Sequence, residues 1–139
     1  MAEHPKAIVM DVESRLDQAS LIGCCVRACC LQIGLDETLA YQVQTCTVEA
    51  VNNAIIHAYG CEEGHRVRVS WRRDAQGLEI RVCDNGVTMR ALPPEVEPAV
   101  DSESGRGWWI MRQWMDEADY ETSEGQNAVV LRKRIGTVR

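Results

Sequence analysis

The 139-residue sequence contains no apolar run long enough to span a bilayer, and its first residues, MAEHPKAIVMDVES, lack the basic-then-apolar order of a secretory leader. Both absences point to a cytoplasmic protein with no membrane partner. Positive charge is short as well. Fifteen Lys and Arg against 21 Asp and Glu leave a net charge of −6, which argues against nonspecific binding to nucleic acid or an anionic membrane, since both need a cationic surface. Partners are therefore expected among proteins and small molecules. The three histidines, His4, His57 and His65, show no ligand spacing of the H-E-x-x-H kind. Internal repeats and low-complexity tracts are missing too, so residues 1–139 read as a single domain. A chain of this length buries roughly two-thirds of the surface its unfolded form exposes and requires neither metal nor disulfide to fold.

Seven cysteines are present, four of them in the cluster CCVRACC. Four thiolates can surround a zinc ion, but paired ligands usually sit on turns in C-x₂₋₄-C spacing, and adjacent cysteines on a helix diverge. The series Leu16, Ala19, Gly23, Val26, Cys30, Ile33 follows steps of three and four, as an amphipathic helix does. The cysteines are read as free thiols that serve as small apolar core residues.

Residues 7–12 form a short β-prone run, followed by that helix, which Gly34 can end. Asp36 is the expected N-cap of a second helix that keeps its period to Tyr59 and Gly60. RVRVSWRRD and GLEIRVCD alternate around a turn-like AQG and predict an antiparallel hairpin. Residues 87–104 carry three of the four prolines and are too long for a tight connection. GRGWWIMRQWMDEA predicts a third helix, with at least one buried indole seeking an acceptor, and DYETS and NAVVLRKRI two closing strands. The order β-α-α-β-β-loop-α-β-β implies an α+β two-layer sandwich, a mostly antiparallel sheet with helices packed on one face.

Three polar constellations interrupt this pattern. Glu49, Asn53 and His57 stand four apart on the second helix, with Asn52 to one side. Unpartnered burial of such groups is expensive, so they either face solvent or line a polar pocket. Asp84-Asn85-Gly86 ends a strand, where a carboxylate can accept from an exocyclic amino group and a glycine permits close approach, although such a tripeptide also makes an ordinary turn. Ser104-Gly105-Arg106-Gly107 opens a helix, and free N–H groups there suit phosphate oxygens.

In order and together, these pieces resemble the Bergerat-type (GHKL) ATPase family of gyrases, chaperones and histidine kinases, and more closely its anti-sigma-factor serine-protein kinase branch. EAVNNAIIHAYG is similar to the E-x-x-x-N box, and SGRGWWIMRQWMDE to the S-G-x-G-hydrophobic-x-I-M-x-x-x-M-D segment. The resemblance implies a Bergerat ATP-binding fold, ATP and Mg²⁺ as cofactors, and an ATP lid at about 87–104. It implies that Glu49 is the general base, that Asn53 binds Mg²⁺ and that Asp84 holds the adenine amino group above Gly86. Ser104, Gly105 and Gly107 then face phosphate, Asn52 is a secondary polar contact, and Arg106 reaches phosphate or faces solvent; His57 packs near the helix end. The implied partners are a STAS-domain anti-anti-sigma factor, a sigma factor or other regulated protein, and a second copy in a homodimer.

The sequence departs from the family pattern at two places. The second glycine of the D-x-G-x-G box is Thr88, which stiffens the lid hinge, and the usual G-T-T-V of the closing strand is replaced by Gly125-Gln126-Asn127-Ala128-Val129, where Asn127 can substitute for threonine. Two functions follow from the resemblance: a serine kinase that phosphorylates the antagonist and sequesters a sigma factor, or a nucleotide-binding partner-switch protein without transfer activity or with a non-sigma target.

Overall fold

The computed structural model describes residues 6–99 and 105–136. Strand β1 (Lys6–Glu13) leads into helix α1 (Leu16–Gln32) and then α2 (Glu37–Asn53). The hairpin β2 (Arg66–Asp74) and β3 (Gly77–Asp84) follows, then α3 (Arg106–Trp114), β4 (Glu117–Ser123) and β5 (Gln126–Lys133). The five strands form one sheet in the order β1-β2-β3-β5-β4, with every neighbouring pair antiparallel. The expected α+β layering is what is found. No helix among the described residues is long and apolar enough to cross a membrane.

Local signals explain much of this. Asp36 caps α2 by accepting the Leu39 N–H at 2.8 Å. Gly34, at φ +95°, ends α1 in a Schellman arrangement: Leu35 N–H bonds to Cys30 O and Gly34 N–H to Leu31 O, both at 3.1 Å. Alternation puts Val67, Val69 and Trp71 of β2 and Leu78, Ile80 and Val82 of β3 on the buried face, against Val26 and Cys30 of α1 and Val43, Cys46, Ala50 and Val51 of α2. The opposite face carries ion pairs instead, among them Arg81 with Glu121 and Arg132 with Glu79 and Glu117.

Four expectations change. Helix α3 stops at Trp114 rather than Ala118: Met115 is already extended, Asp116 N–H bonds to Arg132 O, and Lys133 Nζ takes the Trp114 carbonyl at 3.0 Å. Pairing with β5 therefore claims Ala118 for β4, opposite Leu131. Leu16 is 51% exposed, because α1 buries side chains only from Ala19 onward. The cysteines are free thiols but not all core residues: Cys30 and Cys46 are buried, which pushes their thiols up to about 11 and about 12, Cys29 and Cys83 are half-buried, and Cys24, Cys25 and Cys61 are exposed. Trp108 is buried as expected, yet its indole N–H has no acceptor among the described residues.

Helix α1 packs tightly on α2 at Gly23, where a Cβ would lie 2.6 Å from Val48 Cγ2 and 3.3 Å from Gln44 Cγ. Alanine gains up to about 1 kcal/mol in helix propensity, but overpacking a tight contact costs about 1–3 kcal/mol. Gly23→Ala is thus expected to lower stability by about 1 kcal/mol, a drop of about 3–5 °C in melting temperature by calorimetry.

Candidate functional site

The site begins where α2 stops being an α-helix. Residues Ala54–Ala58 form a π-turn, marked by Tyr59 N–H bonding to Ala54 O at 3.1 Å, and a 6→1 bond from Cys61 N–H to Ile55 O at 2.8 Å closes its end. The Ala58 carbonyl turns outward and accepts the Val87 N–H at 2.9 Å. Gly86 lies against it so tightly that a Cβ there would sit 2.3 Å from that oxygen. Only glycine permits this approach of backbone to backbone. Tyr59 fastens the same corner, its hydroxyl accepting the Asn85 N–H at 2.8 Å and donating to Arg66 O at 2.7 Å.

The wide turn also breaks the regular stripe expected from spacing. Glu49 and Asn53 stay on α2, both half-buried, whereas His57 falls inside the π-turn and is exposed. His57 is therefore not the packing residue inferred from the sequence. Asn52 is half-buried and makes no side-chain hydrogen bond among the described residues. Asn53 Nδ2 is buried without a partner, and its Oδ1 likewise accepts nothing among the described residues.

One turn before the C-terminal end of α2, Glu49 meets the start of α3. A Cβ on Gly107 would lie 2.7 Å from Glu49 Oε2, so the missing side chain is what lets the carboxylate reach the helix end. Gly105 forms the N-cap at φ +82° with no side-chain cap, and the first intrahelical bond runs from Trp109 N–H to Gly105 O. The N–H groups of Arg106, Gly107 and Trp108 therefore remain at the positive end of the helix. Burial pushes the Glu49 carboxyl above the ordinary glutamate range. From Glu49 to Ala58 the helix runs about 13 Å at ~1.5 Å per residue, so the Glu49 end and the Asp84–Gly86 end stand apart by the span of an extended ligand.

Asp84 is buried at the end of β3, and its Oδ1 accepts the Gly86 N–H at 2.9 Å and Asn127 Nδ2 at 2.8 Å. Burial raises its carboxyl, and these two donors partly offset the rise. Ser104 lies outside the described residues. Arg106 turns to the preceding loop, its Nη2 donating to Ala99 O at 3.0 Å. Arg112 was not singled out by spacing, yet it holds the same loop: Nη1 donates to Pro93 O at 2.7 Å, and the guanidinium lies 5.4 Å from the Trp108 ring centroid. Met89 N–H bonds to the Tyr120 hydroxyl at 3.0 Å, and Met89 and Leu92 pack on the core. Residues 87–99 are irregular in backbone but tied down at both ends.

The donor set has a clear chemistry. The neutral Asn53 oxygen and the Glu49 carboxylate suit a hard cation, and the open N–H groups of α3 suit phosphate oxygens. An orphaned amide and a glycine cradle beside a carboxylate fit a magnesium nucleotide. No group of three or more His, Cys, Asp or Glu side chains able to hold a metal alone is found among the described residues.

The two glycines separate structural from chemical constraint. In Gly86→Ala the new methyl meets rigid backbone, and a loss of about 2–3 kcal/mol is expected; in Gly107→Ala it meets the movable tip of Glu49, and stability should stay within about 1 kcal/mol of the parent. Thermal unfolding of both variants checks the contrast.

The chain is similar to known proteins over most of its length. The profile of the histidine kinase-like ATPase domain matches residues 12–133. An anti-sigma F factor of Pasteuria penetrans is 38% identical over 104 residues, covering 69% of each chain. One from Clostridium perfringens strain 13 is 31% identical over 101 residues, 68% of this chain and 72% of the relative. Among solved structures, the RsbU and RsbW domains of a Mycobacterium tuberculosis protein superpose with a TM-score of 0.64 at 18% identity, over 95% of this chain. This chain spans 32% of that one, and the likeness bears on fold alone. With the profile running from β1 to the end of β5, and relatives sharing about a third of their residues over two-thirds of their length, the chain belongs to the histidine kinase-like ATPase domain family, in the branch whose members are named anti-sigma F factor.

Proposed function

We propose that this chain is a cytoplasmic anti-sigma factor with serine kinase activity, which transfers the γ-phosphate of ATP to a serine of a STAS-domain antagonist and holds a sigma factor while the antagonist is phosphorylated. The observation that carries the reading is the half-buried Glu49 carboxylate set against Gly107 in the first turn of α3. It joins a base to an anion-binding helix end, the pairing that phosphoryl transfer needs.

In this reading Glu49 takes the proton of the attacking serine hydroxyl, and its raised pKa makes it a stronger base than an exposed glutamate. The free N–H groups at the start of α3, with Gly105, Gly107 and Ser104, orient the phosphates. Asn53 Oδ1 holds Mg²⁺, which when bound neutralises charge on the phosphate oxygens. Asn52 is a further polar contact at the same helix end. Asp84 accepts the adenine amino group through its unbonded Oδ2, and Gly86 supports the base. Residues 87–104 act as the lid, with Arg106 and Arg112 gripping its backbone rather than reaching for phosphate. Phosphate added to the antagonist changes charge and bulk at its interface, and affinity for the antagonist falls accordingly.

Glu49→Gln is expected to keep nucleotide binding and lose transfer by roughly a hundredfold or more, whereas Asp84→Asn is expected to weaken binding first. Phosphoserine formation on a purified STAS-domain protein and nucleotide titration read the two separately. Nucleotide binding with no phosphoserine from the parent protein, in the presence of Mg²⁺, would leave the alternative of a switch protein without transfer.

The pH dependence has a fixed sign. The base must be ionised, and burial places the Glu49 pKa above its usual value, so the rate at saturating nucleotide is expected to fall, as pH drops, at a pH above the ordinary glutamate range. A limb in that ordinary range would remove Glu49 from the role.

A further inference from the structure

The two departures from the family pattern, Thr88 and Asn127, are 39 residues apart in the chain and meet in space. On the helix-facing side, the apolar alternation of β3 ends at Asp84 and that of β5 ends at Asn127, and the sheet register sets these two polar residues directly opposite each other. Asp84 is 8% exposed and Asn127 1%, so both require partners. Asn127 Nδ2 donates to Asp84 Oδ1 at 2.8 Å and to Gly86 O at 3.1 Å, while its Oδ1 accepts the Thr88 hydroxyl at 2.6 Å. Chemistry fixes the amide orientation: an ionised carboxylate and a carbonyl only accept, so a flipped amide would set oxygen against oxygen on both. The Gly86 N–H donates to the same Asp84 Oδ1. One carboxylate oxygen is therefore held from two sides, and Oδ2 accepts nothing among the described residues.

We propose that Thr88 and Asn127 are a positioning pair for nucleobase recognition: Thr88 anchors the Asn127 amide, and Asn127 holds the Asp84 carboxylate with Oδ2 alone presented to the exocyclic amino group. The inference rests on Asp84 being the base-recognising group. A glycine at position 88 has no side chain to make this bond. Here the second residue of the lid is bonded, through Asn127, to the group that reads the base. Lid displacement that breaks the Thr88 bond therefore also loosens the group that reads the base.

The test compares binding of ATP with that of inosine triphosphate, whose base carries a carbonyl in place of the amino group, to the parent protein and to Thr88→Val, Thr88→Ser and Asn127→Leu. Melting temperatures are followed alongside. The parent should prefer ATP. Thr88→Val should narrow that preference by roughly fivefold, the equivalent of one hydrogen bond, through weaker ATP binding at nearly constant inosine triphosphate binding. Thr88→Ser should restore it, and Asn127→Leu should narrow it further. Equal weakening of both nucleotides in Thr88→Val, an unchanged ratio, or no rescue by serine would overturn the positioning pair. A parent protein that binds ATP with no preference over inosine triphosphate would instead overturn the reading of Asp84 itself.

Discussion

The bond from Val87 N–H to the Ala58 carbonyl, made over the bare Cα of Gly86, is the contact on which the rest of the site depends. Ala58 is the last residue of the helical stretch, so its carbonyl has no partner within the helix and is free to accept the Val87 N–H. Asp84, two residues before Gly86, is thereby fixed relative to Asn53 and Glu49 further back on α2. A core of Val, Ile and Trp side chains supports this corner from below, but no apolar contact could hold the backbones so close.

One turn back on α2, the Glu49 end of the site is organised by another absence. Gly107 leaves room for the Glu49 carboxylate at the start of α3, where three N–H groups have no intrahelical acceptor. The two ends are bridged by residues 87–99, which lack regular structure yet are not loose. Bonds to Ala58, Asn127, Tyr120, Arg112 and Arg106 follow one another along the segment. Arg112 is central among these, because stacking on Trp108 gives its guanidinium a fixed direction toward the Pro93 carbonyl. A loop held this way opens by breaking hydrogen bonds and by lifting Met89 and Leu92 off the core.

Legibility in the sequence followed the range of the physics. Caps, hairpin alternation and helix period are set by residues within a few positions of each other, so Asp36, Gly34 and the β2–β3 hairpin were readable directly. The C-terminus of α3 was misread because nothing local stops it: pairing with β5 draws Ala118 into β4. The position of His57 was misread for a related reason. A stripe at i, i+4, i+8 presumes an unbroken 3.6-residue period, and the π-turn at Ala54–Ala58, against which Gly86 packs, interrupts it.

By itself the sequence determined the element order, the buried face of the β2–β3 hairpin and the spacing of Glu49, Asn53, Asp84 and the glycines, since these depend on local period, capping and side-chain chemistry. Only tertiary structure decided that Gly86 would rest on Ala58, that Gly107 would face Glu49, and that Thr88 and Asn127 would meet around Asp84. Each of those contacts joins residues from different elements, and bringing such residues together depends on how whole layers pack rather than on any short stretch of chain.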